Sequence, residues 1–226
     1  MEKQKQFTHR EKEWNLEEMS ATTNTGIRLY NSPIGNLPSV TTVTGWKKKD
    51  FFAEWRKNNP KESKRVCDRG NVIHDTIEHY LNNENVDVES IPKLEAEMFT
   101  NALSELNRID NIYELETSLW SELLGLAGRV DCIAEFDGKL SVIDFKGSTK
   151  KKSKKYISNY FLQATAYAIM FQERTGIEID NIVILVTCEG GPVQVFEEEP
   201  KRYIKLLHHT IKEYRNENEM PQHLPV

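Results

Sequence analysis

The sequence predicts an α/β fold: a mixed, partly antiparallel central sheet flanked by helices, with a helical N-terminal region. Three observations lead there. Apolar residues recur at helical spacing up to residue 109, and from Ile112 the pattern changes to three β-rich runs, IYELETSLW, LAGRVDCIAEF and KLSVIDFKG. Asp137-Gly138 separates the last two runs, a pair suited to a tight hairpin, so the runs form an antiparallel meander. A helical pattern over 155–174, a continuously apolar strand over Asn181 to Cys188 and a charged helix over 200–216 follow. The predicted order is helices, three strands, helix, strand, helix.

Each element has its own signal. The first 25 or so residues are polar and weakly periodic, then Pro33, Gly35 and Pro38 punctuate an extended β-branched run in NSPIGNLPSVTTVTGW, and residues 1–36 read as an arm, mobile or packed on. Phe51, Phe52 and Trp55 recur at helical spacing within 47–58, and Pro60 closes that helix. A second helix over 65–82 carries Val66, Ile73, Ile77 and Leu81 as an apolar stripe, with His74 and Glu78 one turn apart. A third, over 92–109, begins with Pro92 and points Leu94, Met98, Leu103 and Leu106 inward. No repeat or linker divides the chain, and 226 residues suit one large domain at roughly 150 residues per domain. The expected division is an arm (1–36) and a single domain (37–226), comprising a helical part (37–111), a core (112–217) and a frayed tail (218–226).

Composition excludes several classes. Hydrophobic residues at 38% and charged residues at 29% leave enough Ile, Leu, Val and Phe for a core, so wholesale disorder is excluded. The longest apolar run, Ile182 to Val186, is far short of the roughly 20 residues that cross a bilayer, so a soluble chain with no membrane partner is expected. The opening MEKQKQFTHREKEW lacks an apolar segment and contains Glu, so no signal or transit peptide is expected. The expected location is the cytoplasm of a bacterial or phage-infected cell. Cys67, Cys132 and Cys188 are an odd, widely spaced set without C-x-x-C. They predict reduced, mostly buried thiols and no disulfide framework, zinc site or iron–sulfur cluster. A net charge of -5 gives no overall attraction to nucleic acid, so phosphate binding must come from local basic patches.

The chemistry concentrates in residues 128–150. On a strand Asp144 and Lys146 project from one side while Ile143 and Phe145 face the other, and Asp131 on the preceding strand can meet them across the hairpin. Two converging carboxylates repel, and a hard divalent cation relieves that repulsion. With a lysine adding fixed positive charge, the combination fits phosphodiester hydrolysis assisted by Mg²⁺ or Mn²⁺. An isolated D-x-K also fits a surface ion pair on a hairpin. Glu116, on the first strand of the meander, fits either an outer carboxylate or a cross-strand structural role.

The company of this motif is informative. Residues 37–42 (L-P-S-V-T-T) precede a Trp-bearing helix; R-G-N-V-I-H ends at His74, G-R-V-D at Asp131 and I-D-F-K at Lys146; Gln163-x-x-x-Tyr167 follows. In this order they resemble the PD-(D/E)XK nuclease superfamily, in particular its RecB-like branch and the mitochondrial genome maintenance exonuclease type. The resemblance implies a restriction-endonuclease-like core, with the helical N-terminal half walling a substrate channel. It implies that Asp131 and Asp144 are paired metal-binding carboxylates, that the carbonyl of Phe145 and His74 are further ligands, and that Lys146 is the catalytic lysine. It also implies that Gln163 supports catalysis and that Tyr167 contacts the DNA; four residues apart on a helix, the two share a face. Packing of Tyr167 into a core is the plain alternative.

Two basic tracts are candidates for contact with DNA. The loop after Lys146 carries Lys150, Lys151 and Lys152 to attract phosphates and Ser148 to hydrogen-bond one. The resembled family often has Lys-Thr-Ser here, where this sequence has Lys146-Gly147-Ser148. In the second tract the aromatics fit stacking on unpaired bases with the lysines on phosphates, but Phe51, Phe52 and Trp55 fit a core stripe at least as well, so Trp46 and Lys47 to Lys49 remain candidates. The expected activity is a metal-dependent deoxyribonuclease, an exonuclease acting on single-stranded DNA or free ends in replication, recombination or repair. The alternatives are a structure-selective endonuclease of the same fold and a non-catalytic DNA-binding module with a nuclease-like core.

Overall fold

The computed structural model describes residues 4–24 and 26–218. Apart from Asn218, the predicted tail lies outside the described residues.

The N-terminal arm packs onto the domain. Phe7 is buried, and the backbone around it pairs with the edge of the main sheet: Ile112 N–H donates to the Thr8 carbonyl at 2.7 Å and Arg10 N–H to the Ile112 carbonyl at 2.8 Å. That pairing covers a strand edge otherwise open to association. A small antiparallel sheet follows: β1 (Ala21–Asn24), β2 (Ile27–Ser32) and β3 (Gly35–Pro38). Met19, Tyr30 and Leu37 close over Ala127 in a buried cluster of their own. The sheet was missed because its strands are short, polar and solvated on one side, which weakens the alternation.

The β-branched run after Pro38 is a helix, α1 (Val40–Gly45), and not a strand. Ser39 caps it, its Oγ accepting from Thr42 N–H at 3.0 Å, and Val40 and Val43 are fully buried. Cap and packing override the weak helix propensity of Val and Thr. A 3₁₀ turn over Trp46–Lys48 leads to α2 (Lys49–Asn58) and α3 (Pro60–Leu81). Pro60 ends α2 and is the first residue of α3, where its missing N–H costs nothing, so α3 begins a turn earlier than its apolar stripe predicts. Helix α4 (Lys93–Leu106) stops short of the predicted end because Ile109 already belongs to the sheet.

The main sheet has the order β4 (Ile109–Ser121), β5 (Leu126–Phe136), β6 (Lys139–Ser148), β7 (Asn181–Cys188), β8 (Gln194–Glu198). The meander is as expected; Asp137 (φ 49°) and Gly138 (φ 76°) are both left-handed, as a two-residue hairpin of this kind requires. After β6 the chain crosses through α5 (Ser158–Thr175) to β7, which pairs in parallel with β6. Strand β8 went unrecognised because QVFEE has too few apolar residues to signal it. A 3₁₀ turn at Pro200–Arg202 and α6 (Ile204–Glu217) replace the single predicted helix.

Strand alternation divides the core. Val142, Ile182 and Ile184 pack with α1, α5 and α6, and Ile143, Phe145, Val183 and Leu185 pack with α3 and α4. Fully burying a side chain such as Phe161 or Ile73 stabilises the fold by about 1.5–3 kcal/mol. Cys132 and Cys188 are buried free thiols, but Cys67 is exposed on α3. Among the described residues, no helix is long and apolar enough to cross a membrane.

Candidate active site

The site begins where two strands part. Strands β5 and β6 pair from Phe136↔Lys139 to Cys132↔Ile143 and no further. Beyond that point the Phe145 N–H donates instead to Asp131 Oδ2 at 2.9 Å. The backbone thus fixes the Asp131 carboxylate in the opening between the strands. Helix α3 brings His74 to it from one side of the sheet, and α5 brings Gln163 and Tyr167 from the other. Together with Lys146 they line a cleft of about 420 Å³.

His74, Glu116 and Asp131 each offer a ligand atom, and these atoms lie within 4.8 Å of one another. His74 Nδ1 is 3.8 Å from Asp131 Oδ2 and 3.9 Å from Glu116 Oε1. Burial opposes protonation of His74, but the two carboxylates outweigh it and raise its pKa. Glu116, left open between two roles by its sequence, thus stands with the metal-type donors. Its backbone is left-handed (φ 45°), a conformation that costs a residue with a side chain about 1–3 kcal/mol and occurs preferentially at functional sites. Nothing in the sequence signals that conformation.

Asp144 is not in that trio. It is 1% exposed, and its Oδ2 lies 2.5 Å from Lys146 Nζ. Apart from this ion pair, neither oxygen has a hydrogen-bond partner. Burial, opposed by Lys146 and reinforced by Asp131, pushes its pKa up to about 6. At Lys146 burial works against the ammonium, but Asp144 and Asp131 prevail and raise its pKa, so the amine is charged at neutral pH. An acidic set of this kind, with buried carboxylate oxygens lacking donors, fits a hard divalent cation. His74, Glu116 and Asp131 would hold it, with Asp144 beside them. Glu116→Gln, which keeps the shape and removes the charge, is expected to weaken Mn²⁺ affinity about 10- to 100-fold in a calorimetric titration; unchanged affinity would exclude Glu116 as a ligand.

The remaining predicted residues divide sharply. Gln163 is buried at the cleft wall, one helical turn before Tyr167 on α5. Tyr167 is 2% exposed, so its ring is core, with only its edge at the cleft. Ser148 is buried, its Oγ donating to the Lys150 carbonyl at 2.6 Å, which removes it from the groups able to meet a phosphate. Lys150 and Lys151 are exposed and Lys152 half-buried, and none of the three lines the cleft. Trp46 packs edge-on against Tyr214 and Lys47 pairs with Glu213 at 2.6 Å, both in a neighbouring groove.

Residues to which the sequence reading gives no role also support the site. The Tyr160 ring lies 5.4 Å from Lys146 Nζ. Arg69, 2% exposed, pairs with Glu189 and reaches Thr149 at 3.2 Å, pinning the loop after β6. A Cβ at Gly147 would lie 3.4 Å from Ile73 and 3.5 Å from Arg69, so the glycine that replaces the family's usual threonine sits against α3. From the arm, Arg28 and Tyr30 form the outer wall of the cleft.

A mixed sheet whose parting strands present carboxylates and a lysine defines a nuclease-type core. The chain belongs to the PD-(D/E)XK nuclease superfamily, whose model matches residues 49–222. It is similar to the human mitochondrial genome maintenance exonuclease 1, with 27% identity over 176 residues, 69% of this chain and 51% of that protein. The Xenopus tropicalis protein of that name is 27% identical over 179 residues, covering 70% of this chain and 50% of its own. The mouse protein is 34% identical over 91 residues, covering 38% and 26%. The chain spans about half the length of the human and Xenopus relatives.

Proposed function

We propose that this chain is a DNA exonuclease that hydrolyses phosphodiester bonds with Mg²⁺ or Mn²⁺, acting on single strands or free ends in replication, recombination or repair. The observation that carries this reading is the meeting of His74, Glu116 and Asp131 beside the buried Asp144–Lys146 pair in one open cleft. The names of the similar proteins support the exonuclease class. The nuclease domain is taken as residues 37–226, with the arm lending Arg28 and Tyr30 to its cleft.

The residues divide the work. A divalent cation, when bound, supplies Lewis-acid polarisation of a phosphoryl oxygen and makes water more acidic. Lys146 presents a fixed positive charge to the phosphate as negative charge develops there. Asp144 keeps that ammonium charged and aimed, and Asp131 is held by the Phe145 N–H. The Phe145 carbonyl is proposed as a further oxygen donor. Gln163, buried on α5, orients the strand from that side. Lys150, Lys151 and Lys152 act at longer range, attracting the polyanion.

The test is a time course on linear and circular single-stranded DNA in Mg²⁺, Mn²⁺ or EDTA, with Asp144→Ala alongside. Loss of the linear substrate alone, only with metal and not in the variant, is expected. Cut circles would replace the exonuclease with an endonuclease; retained DNA affinity without cleavage would leave a binding module. In parallel, Mn²⁺ at about a hundredfold over its Kd should stabilise the wild type by about 2.7 kcal/mol, read as a rise in Tm. Asp131→Ala should abolish most of that rise.

A further inference from the structure

Helix α2 is amphipathic by sequence, yet it buries none of its residues. Phe51 is 67% and Phe52 44% exposed, which reverses the core reading of these aromatics. Adjacent exposed phenylalanines on a helix with no fully buried residue mark a surface that meets something else. Lys49, Phe52 and Arg56 follow helical spacing and share one face. That face lines a groove of about 480 Å³ whose lining also includes Gly45 and Tyr214. The groove meets the acidic cleft at Thr41, which lines both.

Charge identifies the occupant. Lys47, Lys48, Lys49 and Arg56 line the groove against Asp50 and Glu217, a local positive excess on a chain of net charge -5. Lys47 is taken by Glu213, and Lys48 donates to the Tyr156 carbonyl at 3.3 Å. Among the described residues, Lys49 and Arg56 form no ion pair with a carboxylate. A cation, an exposed ring and a second cation along one face match the alternation of phosphate and base in an unpaired strand, whose bases are free to stack. An apolar peptide would leave both cations without partners.

We infer that this groove is a second binding site, for the unpaired nucleic-acid strand where it continues beyond the cleft. Phe52 is the base-stacking platform, and Lys49 and Arg56 are the phosphate contacts. The inference rests on the reading of the cleft as a nucleic-acid site and extends it to Phe52, which its helical spacing assigns to a core stripe, and to Arg56.

The experiment measures fluorescence anisotropy of oligothymidylates of increasing length in EDTA, so that binding is read without cleavage. Wild-type affinity is expected to rise once the strand outgrows the cleft. Phe52→Leu should lower affinity for the longest oligomers roughly 5- to 150-fold, whereas Phe52→Trp should retain it. Lys49→Gln with Arg56→Gln should reduce the salt slope by about 1.4, at roughly 0.7 per phosphate contact on single strands. Because Lys49, Phe52 and Arg56 are exposed, these variants should melt with the wild type. Unchanged length dependence and salt slope in the variants would overturn the inference, as would equal loss of affinity for blunt duplex. A wild type that binds long strands through Phe52 but cleaves none would uphold the groove and overturn the nuclease reading alone.

Discussion

Replacing Lys146 by alanine is expected to slow cleavage of single-stranded DNA by about 10²–10³-fold, the usual cost of removing one donor aimed at developing charge. Mn²⁺ should still raise the melting temperature, because His74, Glu116 and Asp131 remain. The separation of the two effects is the informative part. The ammonium lies 2.5 Å from Asp144 and has only 20% of its side chain exposed, so it is held at one point rather than ranging through solvent. Its removal also leaves a buried carboxylate without its counter-charge, and the metal-free variant should lose about 3 kcal/mol of stability. Lys146→Met, which keeps the apolar stem, controls for lost packing. Equal loss of metal response and cleavage in both variants would assign Lys146 to the metal set instead, and undiminished cleavage would remove it from catalysis.

Gly128→Ala should be strongly damaging for a single added methyl group. A Cβ there would lie 2.7 Å from Tyr167 Oη and 2.9 Å from its Cε1, closer than real side chains approach. Tyr167 is buried, so the ring cannot swing away without moving the wall of the cleft. Overpacking of this kind costs about 1–3 kcal/mol. Displacing α5 by about 1 Å relative to Asp131 should cost up to about 100-fold in cleavage. Thermal melts and rates on the same preparation check both. A variant with wild-type stability and rate would show that α5 does not press on β5 as described.

These two residues also show what a sequence can disclose. Asp131, Asp144 and Lys146 were legible because strand alternation and one hairpin suffice to bring them together, and both are local properties. The reason for glycine in G-R-V-D was not legible, because it lies in a tyrosine 39 positions away. Glu116 could be named but not assigned, since a left-handed residue inside a strand leaves no trace in composition. Phe52 and Ser148 were misread for a common reason. Helical spacing and a hydroxyl beside lysines are also what a core stripe and a phosphate contact look like, and only burial separates them: Phe52 is exposed and Ser148 is not. The small N-terminal sheet escaped because its stability comes from one cluster over Ala127 rather than from its own pattern.

Glu116 carries a lesson for anyone seeking a hardier version of this molecule. In its left-handed conformation glycine would relieve strain, so folding and the proposed metal ligation pull this position in opposite directions. A design procedure scoring stability alone would select Glu116→Gly early and count it a success, trading activity for robustness in one step. The residue least comfortable in the strand is the one such a procedure must be told to leave in place.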